Sequence, residues 1–291
     1  AVGASALAVN TTGGVNTAVG NNALAANVSG AFNAACGVNA LLNNTTANEN
    51  TAMGYIALQT NTTGINNSAF GSSTLQAATT ASFNTGIGKG ALFGCTTGAQ
   101  NSAVGGQCLV SVTTGELNSG IGVNAGFAIT TGDQNTQLGH SSGSNITTGD
   151  NNVNIGYFSN ASSATVSNEI TLGNTSSATL RCNTQTISAL SDGRDKTNVI
   201  DLPEGLDFIN KLRPVKFEWA TRDGNIKDGT FEHGFIAQDL QAVQKENNAD
   251  YLKMVMEENP DRLEASYSRL VPILVKAMKE LSVKVTTLEA G

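Results

Sequence analysis

Over its first 190 residues the chain has no proline, and its only cationic side chains there are Lys89 and Arg181. Acids are almost as scarce in that stretch, limited to Glu49, Glu116, Asp133, Asp150 and Glu169. The whole chain carries a net charge of −7 and no Lys/Arg cluster with interleaved aromatics. Nucleic-acid binding, which draws its affinity from neutralised phosphates, is therefore not expected. No apolar run nears the ~18 residues of a membrane span, and no signal peptide is visible, so membrane insertion is not expected either. The cysteines Cys36, Cys95, Cys108 and Cys182 show no CxxC spacing. They read as buried free thiols in preference to disulfides or a metal site, which suits assembly in a reducing cytosol. The last 101 residues hold the other fourteen Lys/Arg, eighteen Asp/Glu and all four prolines. Two domains of different physics follow from that division.

What fills the first half is a repeat. Glycine recurs every 17 residues from Gly3 through Gly20, Gly37 and Gly54 to Gly173, with no insertion or deletion. Four residues before most of these glycines stands an asparagine, from Asn16 and Asn33 to Asn152, and immediately before each is an apolar residue such as Val19, Met53, Phe70 or Ile87. Many units also carry a Thr-Thr-Gly turn, as at Thr62-Thr63-Gly64. A strict period of this kind describes stacked coils, with equivalent residues ~4.8 Å apart along the stack. The apolar residue is expected to point inward, the glycine to supply a backbone conformation that a β-carbon forbids, and the asparagines to pass amide hydrogen bonds from coil to coil. Each coil offers few large apolar side chains, so a lone stack is expected to have too thin a core, and packing of several chains about one axis would supply the burial.

The residue after the turn is acidic in three successive units: Glu116, Asp133 and Asp150. In-register stacking sets these charges ~5 Å apart, which calls for screening by water or by a calcium-like ion with oxygen ligands. A solvated acidic edge is the plainer expectation.

From Ile187 the text changes. Ser191-Asp192-Gly193-Arg194-Asp195-Lys196 places a serine five residues before a lysine. A desolvated lysine can lose its proton and act as base toward a serine hydroxyl. Downstream come Leu212-Arg213-Pro214-Val215-Lys216-Phe217-Glu218-Trp219 and Gly234-Phe235-Ile236-Ala237-Gln238. At the end, Val271, Leu274, Met278, Leu281, Val285 and Leu288 are spaced 3-4-3-4-3. That spacing reads as a short coiled-coil seam or, alternatively, as an amphipathic helix packed on its own domain.

The repeat region resembles the β-roll heads of trimeric autotransporter adhesins and the repeat shafts of phage tail fibres, which leaves open single-chain coils or intertwined strands. Residues 188–291 resemble the C-terminal intramolecular chaperone of phage tailspikes and fibres, of the endosialidase type. The resemblance implies a homotrimer whose chaperone releases itself by one self-directed cut. On the matching positions, Ser191 is the nucleophile, Lys196 its base and Leu190–Ser191 the scissile bond. His233 would serve as acid or orienting group, or else as a structural residue. A Ser191–His233–Asp239 triad has no support from the sequence.

The expected architecture is thus mainly β: a trimeric β-roll or β-helical shaft of 17-residue units over 1–180, a linker over 181–190, and an α+β chaperone autoprotease over 191–291 with a helix at about 263–289. No cofactor is expected beyond the calcium idea, and no trans-acting enzyme activity. Expected partners are two further copies, a host-surface receptor of glycan type, and other tail proteins bound through a region upstream of Ala1. The expected location is the virion tail, after assembly in the host cytoplasm. A cell-surface adhesin and a polysaccharide-degrading tailspike with an intersubunit site are the rivals.

Overall fold

A computed structural model of the chain describes residues 1–177, 180–181, 191–218, 231–257 and 263–291. It forms two compact units, Ala1–Arg181 and Cys182–Gly291. Cys182, Leu190 and Trp219 lie outside the described residues.

The first unit is a β-solenoid wound from one chain. Each coil contributes one three-residue strand, from β1 (Thr17–Val19) and β2 (Ala34–Cys36) to β9 (Val153–Ile155) and β10 (Ile170–Leu172). All ten lie in one sheet in sequence order. Neighbours pair parallel in strict 17-residue register, as in Thr17↔Ala34, Ala35↔Ala52 and Met53↔Phe70. Glycine is required where strand meets corner. Gly20 sits at φ +137°, and a β-carbon there would come within 2.4 Å of the Gly37 carbonyl oxygen of the next coil.

The direction of the strand side chains corrects the expectation. The apolar residue before each glycine faces outward, and the middle residue of the strand faces inward. That inward row is small, with Ala18, Ala35, Ala52, Ala69 and Ala103 at most 1 % exposed. The lone stack also buries a core of its own. A row of leucines (Leu24, Leu41, Leu58, Leu75, Leu92, Leu109) is fully buried behind the corners. Each of these adopts φ between +50° and +53°. A left-handed non-glycine residue costs ~1–2 kcal/mol, whereas burying a leucine gains ~1.5–3 kcal/mol, so burial holds the strained corner.

Amide ladders do the work that larger apolar groups would do elsewhere. The Asn16–Asn152 row is buried from Asn33 onward. The Asn50 side-chain oxygen accepts from the Asn67 backbone N–H at 3.0 Å, and its Nδ2 donates to Gly64 O at 2.8 Å. The same pattern repeats at Asn101 and Asn118. Burying such groups is tolerable because each is paired. A second ladder, not singled out from the sequence, runs Asn10, Asn27, Asn44, Asn61 through Nδ2–Oδ1 bonds of 2.7 to 3.0 Å. It stops where Ala78 replaces the next amide, leaving Asn61 Oδ1 without a partner. Cys95 then takes the same position, its thiol donating to Gly98 O at 3.3 Å. The Thr-Thr-Gly turns are stitched likewise, Thr62 Oγ1 donating to Thr79 O at 3.0 Å.

Interior chemistry shifts in the last coils. Gln137 and Asn154 replace the inward alanine, and the side-chain amides of both are buried with no hydrogen-bond partner among the described residues. In the final coil Glu169 occupies the position of the laddered asparagine. Its backbone N–H donates to Asn152 Oδ1 at 3.0 Å, while its carboxylate folds back to accept from Ser162 N–H at 2.8 Å and Thr171 Oγ1 at 2.9 Å.

The second unit is small and mixed. α1 (Leu206–Ile209) is followed by β11 (Val215–Phe217), paired antiparallel with β12 (Glu232–Gly234). Then come α2 (Ala237–Glu246), the antiparallel pair β13 (Val255–Met256) and β14 (Glu264–Ala265), and α3 (Leu270–Glu289). Phe208, Leu240, Leu252, Met254, Leu270 and Ile273 form its core. Among the described residues no helix is long and apolar enough to cross a membrane.

Candidate active site

The segment opening at Ser191 is organised by a short turn. Residues Gly193–Asp195 form one turn of 3-10 helix, capped by Asp192, whose carboxylate accepts from the Arg194 backbone N–H at 2.9 Å. The Arg194 guanidinium folds onto the same carboxylate, with Nε at 3.0 Å and Nη2 at 2.5 Å. That side-chain hydrogen bond, followed by the backbone one, holds the Asp192 carboxyl below its ordinary range. In the sequence Asp192 and Arg194 stand only as members of the Ser191–Lys196 run, with nothing to announce their pairing. The signal for the turn itself was the Asp-Gly-Arg run, in which aspartate is a favoured cap and Gly-x is turn-forming.

The turn reverses the chain, with Lys196 N–H donating to Gly193 O at 3.3 Å. The lysine side chain thereby returns to the serine: Lys196 Nζ lies 2.6 Å from Ser191 Oγ and 3.3 Å from Ser191 O. Hydrogen-bond reach between nucleophile and base is the geometry that hydroxyl activation needs. Both residues are exposed in the single chain. Leu190, the other side of the expected scissile bond, lies outside the described residues.

The remaining candidates stand elsewhere. His233 is exposed on β12, paired in register with Lys216. Asp239 faces Arg213 at 3.5 Å. No hydrogen bond among the described residues joins either to Ser191 or Lys196. On the shaft, Asp133 Oδ1 accepts from Glu116 N–H at 2.7 Å, and Asp150 Oδ1 accepts from Asp133 N–H at 2.8 Å. The acidic edge is thus one more rung-to-rung ladder, shared with Asn48, whose Oδ1 accepts from Ala31 N–H at 2.7 Å. Among the described residues no group of three or more His, Cys, Asp or Glu could hold a metal ion. Of the thiols, Cys95 and Cys108 are buried, and burial pushes each up to about 12. Cys36, against expectation, is exposed, because it stands in the outward row.

α3 divides into two faces. Leu270, Ile273 and Ala277 are buried in the unit's own core. On the same side Glu280 accepts from Leu206 N–H at 2.7 Å, and Lys276 donates to Pro203 O at 2.9 Å. The 3-4-3-4-3 residues from Val271 to Leu288 line the adjoining stripe of the helix and are 43–81 % exposed. The helix therefore packs on its own domain and still presents its seam.

The two motif segments quoted from the sequence also find structural roles. Val215–Phe217 is β11, and Gly234 ends β12 against Tyr267, whose hydroxyl accepts from Phe235 N–H at 3.2 Å. No curated protein and no solved structure matches the chain. Residues 191–248, beginning at the serine held by Lys196, match the family model described as chaperone of endosialidase.

Proposed function

We propose that the chain is a segment of a viral tail fibre or tailspike. Its C-terminal unit gathers three copies and then cuts itself free between Leu190 and Ser191. The observation that carries the cut is the 2.6 Å contact of Lys196 Nζ with Ser191 Oγ at the first residue of the matched family segment. In the proposed step, Lys196 in its neutral form takes the hydroxyl proton, and Oγ attacks the Leu190 carbonyl carbon. As the C–N bond breaks, that proton passes from Lys196 to the Ser191 nitrogen, which leaves as an amine, and an ester joins Leu190 to Oγ. Water then hydrolyses that ester, giving a Leu190 carboxylate and a free N-terminal serine. A lysine gives up its proton readily only where water is excluded. Because the pair is exposed in one chain, covering by a neighbouring copy is the natural trigger, and assembly precedes cleavage.

Trimerisation rests on the matched family together with the exposed α3 seam, since a seam of this length is marginal alone but adequate in a unit that folds around the helix's other face. The shaft is the part left for host attachment. Its exposed ring cluster of His140, Tyr157 and Phe158, with Tyr157 and Phe158 centroids 4.6 Å apart, offers a stacking platform of the kind sugars use.

Intact mass spectrometry of freshly expressed full chain tests the cut. Two fragments, 1–190 and 191–291, are expected from the wild type, and a single uncut chain from Ser191→Ala and from Lys196→Ala. Cut product from both variants would defeat the dyad.

A further inference from the structure

The outward face of the shaft sheet is unusual for a surface. Each strand turns two side chains out. The first is mostly Thr or Ser, and the second is the apolar residue before glycine, running from Val19 to Leu172. None of these outward positions on any of the ten strands is charged. The apolar row is 38–54 % exposed wherever a large side chain occupies it, Phe70 and Ile121 among them. Parallel in-register pairing stacks its members directly over one another, so the row is continuous. At ~4.8 Å per coil it is roughly 43 Å long. Its exposed apolar area is on the order of 800 Å² per copy, beyond the few hundred Å² a monomer ordinarily leaves open and equal to one partner's share of a standard specific interface.

We propose that this row is the seam along which the shafts of further copies of this chain pack, parallel and in register. The occupant follows from three features. The area suffices for a stable self-interface. The absence of charge suits a parallel pairing, in which each residue meets its own copy and any charge would meet its like. The α3 seam, in a parallel bundle, brings identical coils to the same level. The inference rests on the trimeric reading above and adds which face of the shaft closes the trimer. It also accounts for the outward direction of residues whose size varies from valine to phenylalanine, since a seam between copies can repack rung by rung.

Cys36 provides the test, because it stands in this row while Cys95 and Cys108 are buried inside the coil. The full chain carrying Ser191→Ala, to retain the cap, and Cys182→Ser is treated with a short bismaleimide and run on a denaturing gel. Covalently linked chains are expected, and are expected to vanish in Cys36→Ser. Adding Ile121→Cys to Cys36→Ser restores them, whereas Thr46→Cys, on an exposed turn, does not. Sedimentation of the same samples separates the two claims. A trimer lacking Cys36-dependent linkage, with Cys36 freely alkylated by a monofunctional maleimide, overturns the seam, leaves trimerisation standing and assigns the face to another partner. A monomer at micromolar concentration overturns the trimeric reading itself.

Discussion

Asn135 and Asn154 are the same residue type, both fully buried and one coil apart, yet the structure assigns opposite values to their side chains. Asn135 Oδ1 accepts from the Asn152 backbone N–H at 3.1 Å, and Asn135 Nδ2 donates to Gly149 O at 2.8 Å. Asn154 Nδ2 and Oδ1 make no hydrogen bond among the described residues. Substituting alanine deletes the same atoms at both sites, so the volume lost is equal and the cavity cost largely cancels. Asn135→Ala strands a buried N–H and a buried C=O, at ~1–3 kcal/mol each, for a loss of about 2–6 kcal/mol. Asn154→Ala strands nothing and restores the alanine of earlier coils, so its effect should lie within ~1 kcal/mol of zero. Guanidinium unfolding of both variants in the uncut Ser191→Ala background, followed by circular dichroism, measures the difference. Hydrogen exchange at the Asn152 amide should accelerate in Asn135→Ala alone. Equal destabilisation by the two substitutions would refute the claim that the ladder, rather than amide volume, holds the coils together.

Further outcomes follow from the second unit and from the thiols. Met278→Asp with Leu281→Asp should convert the trimer to monomer by sedimentation while leaving the unit folded, whereas Ile273→Ala should cost the unit about 2–5 kcal/mol in denaturant unfolding, as for a buried core truncation. If assembly precedes cleavage, the Met278→Asp/Leu281→Asp chain should also remain uncut by intact mass. The Glu280 carboxyl is held below its ordinary range, chiefly by the Leu206 N–H and then by Lys276. A group lowered in the folded state stabilises above its unfolded value of ~4.3 and loses that contribution as pH falls through the lowered one. The Leu206 amide should therefore stay protected from exchange at pH 5 and open on further acidification, with Glu280→Gln removing the pH dependence. Cys95 and Cys108 should resist alkylation at pH 8 until the shaft is unfolded, because their thiols are pushed up to about 12.

Much of this architecture is legible in the sequence because a solenoid repeats its physics. The glycine row announces both the period and the corner, and the asparagine row announces the ladder, since one geometric demand recurs at each coil. The apolar row misleads for a physical reason. A three-residue strand has two faces, and the larger, greasier residue invites an inward assignment. The coil is too narrow for that. Over the first seven strands its interior takes only alanine or glycine, Ala18, Ala69, Gly86 and Gly120 among them, while the outward position ranges from Val19 to Phe70. Constancy of volume, not hydrophobicity, was the informative signal. A count of large apolar residues also overlooks the two buried amide ladders and the leucine row at positive φ, which add cohesion within each coil. At the candidate site the serine–lysine spacing is readable, but the turn that closes it depends on Asp192 and Arg194, whose pairing has no periodic signature.

Glu169 has a consequence for the coil stack as a material. A stack of identical coils is by nature an open polymer: its last rung presents the same amide template that every earlier rung offered its successor, and a stray chain could add to it without limit. Placing a carboxylate there, bent back onto Ser162 and Thr171, withdraws that template. A coil stack that closes its last amide row on itself in this way offers an added strand a poorer edge, the means by which natural sheets discourage edge-to-edge growth.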